Sequence, residues 1–99
     1  MNEAEKFAAA LNLKFAGTSD DHNTYSVSPG GKKYLRIVAT NKSATTGHQR
    51  HVHAFVDAST GEVYKSAGWT APQKGARYPN IWEALAKADP FGGYLYAGR

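Results

Sequence analysis

The sequence predicts an α+β fold with an N-terminal helix, an antiparallel sheet of about four strands, a C-terminal helix and a short aromatic tail. Three observations support this class. Apolar residues recur at helical spacing near each end of the chain, apolar and polar residues alternate through its middle, and turn-forming residues separate the alternating segments. With 99 residues, the chain is expected to form a single domain, 1–99.

The first helix is expected to begin after Asn2. Asn2 and Glu5 have the spacing of a capping box, in which each residue satisfies a backbone amide of the other. Four apolar residues then follow at helical spacing: Ala4, Phe7, Ala8 and Leu11. The next segment, AGTSDDHN (16–23), consists largely of turn formers, which predicts that the helix ends there.

Four strands are expected between residues 24 and 66. The segments 24–28 and 33–40 flank the turn PGGK, and the segments 50–57 and 62–66 flank the loop ASTGE. Proline and glycine favour tight turns, and Gly61 can adopt a positive φ, so each pair is expected to form a hairpin.

One face of this sheet is expected to be partly open. Strict alternation assigns two rows to it: Tyr34, Arg36 and Val38 from the second strand, and His51, His53 and Phe55 from the third. Such a mixture of a cation, imidazoles and aromatic rings suits a ligand that is both anionic and flat.

The second helix is expected to begin at Asn80, which again precedes a glutamate, Glu83, by three residues. Its apolar residues are Ile81, Ala84, Leu85 and Ala88, and Pro90 is expected to end it. The tail FGGYLYAGR (91–99) is expected to form either a short edge strand or an ordered coil against the core.

Positive charge is concentrated in the middle of the chain. The net charge is +4, but the segment 29–80 alone holds eight lysines and arginines and only two acids. Within it, the stretch KSAGWTAPQKGARYPN (65–80) combines cations with aromatic rings and contains no acid. These features indicate an anionic partner, and the candidate ligand-binding residues are Arg36, Arg50, His51, His53, Lys65, Trp69, Lys74, Arg77 and Tyr78.

Motifs that would indicate catalysis are missing from the sequence. There is no cysteine, no serine nucleophile elbow, no phosphate-binding glycine loop and no HExxH motif. His48, His51 and His53 lie close together, and two histidines two residues apart on a strand point the same way, but a third protein ligand is not evident. We therefore expect a protein that is not an enzyme and that has no metal and no cofactor.

The segments KKYLRIV and RHVHAFVDASTGEVYKSAGWTAPQKGARYPN, within residues 32–80, resemble a group of small proteins encoded by bacteriophages. The resemblance implies work in the cytoplasm of an infected bacterium. It implies no particular activity. The apolar runs are too short for a membrane helix and the N-terminal region is acidic, which also favours an intracellular protein without a membrane partner.

Three functions remain compatible with these features. The protein could bind nucleic acid, sequester a nucleotide signal of host defence, or inhibit a host protein by direct binding. Lysine and arginine beside aromatic rings suit single-stranded nucleic acid, but tryptophan, tyrosine and arginine are also common at protein interfaces. A homo-oligomer is compatible with each function.

Overall fold

The computed structural model describes residues 2–28, 32–42, 50–90 and 92–96. Its elements are helix α1 (Glu3–Phe15), strands β1 (Asn23–Val27), β2 (Tyr34–Asn41), β3 (Arg50–Asp57) and β4 (Val63–Tyr64), helix α2 (Ile81–Lys87) and a 3₁₀ turn (Gly93–Leu95). The strands form one antiparallel sheet in the order β1-β2-β3-β4. The predicted α+β class is therefore confirmed. Within the described ranges, no helix is long and apolar enough to cross a bilayer.

Both helices begin as predicted. Asn2 Oδ1 accepts a hydrogen bond from the Glu5 amide at 2.8 Å, and Glu5 Oε1 accepts one from the Asn2 amide at 3.0 Å, which completes the capping box. Asn80 Oδ1 accepts from the Glu83 amide at 2.9 Å in the same way. These bonds satisfy backbone donors that lack a partner inside the helix.

The hydrophobic core lies between the helices and one face of the sheet. The predicted stripe of α1 is buried, with Phe7 and Leu11 fully inaccessible to solvent. The sheet contributes Ile37, Ala39, Ala54, Val56 and Val63 to the same cluster. This inner face of β2 is the one that alternation predicted, because the odd-numbered residues from Leu35 to Ala39 point toward the helices.

The tail closes one end of the core. Tyr94 and Leu95, in the 3₁₀ turn, are 6% and 1% exposed and belong to the main cluster. Of the two expectations for the tail, an ordered coil against the core is therefore closer to the structure than an edge strand. Asp89 holds the turn, since its carboxylate accepts hydrogen bonds from the Gly93 and Tyr94 amides.

A β-bulge in β3 overturns one prediction. Ile37 pairs with Ala54 and Val38 pairs with Val52, so His53 is an extra residue between two successive pairs. The bulge lets His53 lie on the inner side, where its ring centroid is 5.1 Å from that of Tyr25. The predicted row of His51, His53 and Phe55 is therefore wrong, because one inserted residue reverses the alternation of the strand.

The other side of the sheet, which we call the outer face, carries Tyr34, Arg36, Val38, Arg50, Val52, Phe55 and Tyr64. Arg36 pairs with Phe55, and Phe55 in turn pairs with Tyr64, which places these three side chains together. Val38 and Phe55 are 0% and 2% exposed although they do not belong to the helix-side cluster. Other parts of the chain must therefore cover much of this face.

The loop between β3 and β4 is built around one carboxylate and one glycine. Asp57 Oδ1 accepts from the Ser59 amide at 2.9 Å, the Ser59 hydroxyl at 2.8 Å and the Thr60 amide at 3.1 Å. These hydrogen bonds, chiefly those from Ser59, lower the pKa of Asp57. Gly61 completes the turn with a φ of 80°.

Replacing Gly61 with alanine is expected to destabilise the fold by roughly 1–2 kcal/mol, because a side chain disfavours the left-handed conformation. The new Cβ would also lie 2.9 Å from Glu3 Oε1, so that flexible side chain would have to move. Urea denaturation would measure the effect. Gly68→Ala is the matched control, because Gly68 has no positive φ and its Cβ would meet no atom within 4 Å. Equal stability of the two variants would contradict this account of the turn.

Candidate functional site

The segment 65–80 begins as an ordered extension of the sheet rather than as an irregular loop. Beyond β4, Ser66 forms an antiparallel bridge with Pro72. The Ala67 amide donates to the Ala71 carbonyl at 2.9 Å, and the Gln73 amide donates to the Lys65 carbonyl at 2.8 Å. We call this element, residues 65–73, the site hairpin. Its tip consists of Gly68, Trp69 and Thr70.

The site hairpin brings Trp69 onto the outer face of the sheet. The guanidinium carbon of Arg36 lies 5.5 Å from the centre of the indole, and that of Arg50 lies 5.8 Å from it. Both distances fall within the range of cation–π contacts. Trp69 keeps 47% of its surface exposed. We call Arg36, Arg50 and Trp69 the arginine–tryptophan cluster.

Strand register explains how one indole reaches two arginines. Arg36 lies near the start of β2, whereas Arg50 begins β3 and pairs with Thr40 near the end of β2. The two arginines therefore flank the middle of the outer face along the strand direction. An indole that lies between them on this face can therefore contact both.

Among the residues that the structure describes, no carboxylate forms an ion pair with Arg36 or Arg50. In the part of the chain that the structure describes, the ion pairs join Lys6 to Glu3 and Lys42 to Asp21. Arg36 donates from Nη1 to Ser28 Oγ at 3.1 Å, but its Nε is buried and has no hydrogen-bond partner among the described residues. Asp57, one of the two acids of the basic middle, is already bonded within its own loop. An anion could therefore meet guanidinium groups without displacing a carboxylate.

A pocket of about 520 Å³ opens beside the cluster. Tyr34 and Tyr64 form one part of its wall, with ring centroids 5.2 Å apart and planes inclined by 76°. The other part is the segment 70–75, which includes Lys74. The Lys33 ammonium lies 5.2 Å from the centre of the Tyr34 ring. The outer face thus combines a half-exposed indole with a pocket that has aromatic and cationic groups in or next to its wall.

Three further candidates lie away from the cluster. The Lys65 ammonium is 4.0 Å from the centre of the Tyr96 ring, near the C-terminal turn. Arg77 follows the site hairpin, and its amide donates to the Val63 carbonyl at 2.8 Å while its Nε is buried without a partner in the described ranges. His51 is exposed and pairs with Ala39.

His53 and Tyr78 occupy structural positions. His53 is 4% exposed, and its Nε2 lies 2.7 Å from the Tyr94 hydroxyl. Burial lowers the pKa of His53 to about 4, so the imidazole is neutral at physiological pH. Tyr78 packs against the core cluster, and its hydroxyl donates to the Tyr94 carbonyl at 3.0 Å. Neither side chain lies with the arginine–tryptophan cluster.

Metal ligation receives no support from the geometry. The ranges that the structure describes contain no group of three or more histidines, cysteines, aspartates or glutamates able to hold a metal ion. His48, which was considered with His51 and His53, lies outside those ranges.

Tyr64 was not among the residues that the sequence singled out, and Tyr34 was placed on the outer face but not named as a candidate. Alternation correctly assigned Tyr34 to the face of Arg36. The pairing of Tyr64 with Phe55 adds the second tyrosine. The strand pattern therefore contained a signal that both tyrosines lie on the outer face. The pocket also requires the fold of the segment 70–75, which has no helix or strand periodicity and could not be predicted.

Comparison with known proteins identifies a family to which no activity is assigned. No curated protein and no solved structure matches the chain. The phage origin suggested by the segments within 32–80 stays a prediction. A model of the family of unknown function DUF7717 matches residues 2–97, and the chain therefore belongs to this family.

Proposed function

We propose that this protein binds nucleic acid without catalysis, through the arginine–tryptophan cluster. The observation that carries the proposal is the convergence of two guanidinium groups on one half-exposed indole, with no ion pair to either arginine in the described ranges. Proteins that bind single strands combine cations for the phosphates with aromatic planes for the bases.

Each component has a separate role. Arginine can donate two parallel hydrogen bonds to a phosphate, which a lysine cannot do. Trp69 offers the exposed part of its indole to a base, and stacking of this kind contributes roughly 1–3 kcal/mol per base. The arginines orient the indole, so little conformational freedom is lost when the ligand arrives.

The resemblance to phage-encoded proteins also suggests where the protein would act. In the cytoplasm of an infected bacterium, such a protein would act on phage or host nucleic acid. A nucleotide signal and a host protein remain the two alternative ligands. A thermal shift with free nucleotides tests the first, and a pull-down from nuclease-treated host lysate tests the second.

Trp69→Ala is expected to weaken binding of labelled single-stranded DNA or RNA by about 5- to 150-fold at low salt, because one stacking plane is lost. Fluorescence anisotropy would measure the dissociation constants. Trp82→Ala is the matched control, since Trp82 is 57% exposed but lies on α2. Thermal melting of both variants would verify that they are folded.

Absence of binding to every nucleic acid tested at low salt would refute the proposal. A thermal shift with one free nucleotide would then favour the nucleotide alternative, because a ligand at 100 times its dissociation constant stabilises a protein by about 2.7 kcal/mol. An equal loss of affinity in Trp69→Ala and Trp82→Ala would show that the arginine–tryptophan cluster is not the binding site.

A further inference from the structure

The pocket formed by Tyr34, Tyr64 and the segment 70–75 is connected to the arginine–tryptophan cluster through neighbouring residues of the chain. Thr70 lines the pocket and follows Trp69 in the chain, so their Cα atoms are about 3.8 Å apart. Arg36 lies two residues from Tyr34 on the same face of β2. The pocket and the cluster therefore share the site hairpin and β2 as their supports, and we expect one extended ligand to contact both.

We propose that this pocket accepts one unpaired nucleobase, so that the protein selects single-stranded nucleic acid over duplex. The inference rests on the proposed function and adds its substrate class. The volume of the pocket, about 520 Å³, falls in the range of small-molecule sites, roughly 300–1,000 Å³.

The chemistry of the wall suits a base. The two tyrosine rings and Pro72 supply flat, apolar surface. Thr70 and Gln73 add hydroxyl and amide groups, and these side chains can both donate and accept hydrogen bonds to base edges. An aliphatic or purely anionic ligand would leave either the rings or the polar groups unused.

The charged groups around the pocket determine the expected orientation of a bound nucleic-acid strand. The Tyr64 hydroxyl donates to Glu62 Oε1 at 3.4 Å, so a carboxylate lies close to one side of the pocket. Lys74 is part of the wall, and Lys33 lies over the Tyr34 ring. The phosphates are therefore expected to run past Lys33 and Lys74, and the base to point toward Tyr64.

A duplex cannot use this pocket without disruption. Its bases are paired and stacked, and extruding one of them costs a few kcal/mol. A single strand has no pairing to lose. Binding to both the indole and the pocket is thus available to a single strand, whereas a duplex is restricted to phosphate contacts.

The test compares a labelled oligothymidylate with a DNA duplex of matched length, by fluorescence anisotropy at one salt concentration. The intact protein is expected to bind the single strand at least about tenfold more tightly. Tyr34→Leu and Tyr64→Leu are each expected to reduce this preference severalfold, because they weaken binding of the single strand more than binding of the duplex. Tyr96→Leu is the control, because Tyr96 is exposed and lies against Lys65 rather than the pocket.

The outcomes separate the two proposals. Equal affinity for single strand and duplex, or a preference that both tyrosine variants retain, would overturn the pocket and leave the proposed function intact. No binding of either nucleic acid would overturn both. If a tyrosine variant fails to melt cooperatively, Gln73→Ala replaces it, because that change removes the amide from the wall without removing a ring.

Discussion

The free energy of unfolding is expected to fall by about 3 kcal/mol between pH 7 and pH 4, because folded His53 resists protonation. Burial, and secondarily the nearby His51, lowers the pKa of His53 from 6.5 to about 4, while Asp89 opposes this shift weakly. Nδ1 of His53 is buried and has no hydrogen-bond partner among the described residues, so a charged imidazole would lack compensation there.

The direction of the effect follows from proton binding. In the unfolded chain His53 takes up a proton as the pH falls below about 6.5, whereas in the folded protein it does so only near 4. The unfolded state therefore binds more protons throughout this window, and each step toward lower pH favours unfolding. The stabilisation is complete above the unfolded pKa and is lost as the pH falls toward the folded one.

Urea denaturation at a series of pH values between 7 and 4 would measure this effect. In His53→Gln the decline over this window is expected to be much smaller, since glutamine does not titrate. His51→Gln is the matched control, because His51 is exposed, and it should keep most of the decline. An unchanged pH dependence in His53→Gln would show that other groups are responsible.

Binding to single-stranded nucleic acid is expected to weaken about 50-fold between 50 and 200 mM salt if four phosphates are contacted, because each contact releases bound counterions. The cluster and the surroundings of the pocket carry this many cations: Arg36, Arg50, Lys33 and Lys74. The logarithm of the association constant should fall linearly with the logarithm of salt concentration.

The double variant Arg36→Ala/Arg50→Ala is expected to halve this slope, so that affinity declines only about sevenfold over the same range. Lys6→Ala is the control, because Lys6 is already paired with Glu3 on α1. A salt slope that is the same in all three proteins would show that the phosphates bind elsewhere.

Local features of the fold were predictable from the sequence. The caps at Asn2 and Asn80 depend on residues three positions apart, and the buried stripe of α1 follows from the helical repeat. The inner face of β2 was also predicted correctly, because that strand alternates without interruption. Such signals involve a few neighbouring residues, and their physical cause is contained in the segment itself.

For the candidate site, the sequence indicated several of the residues but not their arrangement in space. Arg36, Arg50 and Trp69 were each singled out, but their convergence requires the site hairpin to fold back over the sheet. The position of His53 was missed because a bulge depends on the pairing of two strands and leaves no mark in the spacing of one. Tyr78 was missed as a structural residue because its partner, the Tyr94 carbonyl, belongs to the tail.

Because of the bulge, the side of the sheet on which His53 lies depends on one extra residue in β3. Removing Val52 would restore uninterrupted alternation and place His53 opposite Val38, on the same side as the indole. A one-codon deletion would thereby move the imidazole from the core side of the sheet to the face that carries Arg36, Arg50 and Trp69. The core would lose the partner of the Tyr94 hydroxyl in exchange.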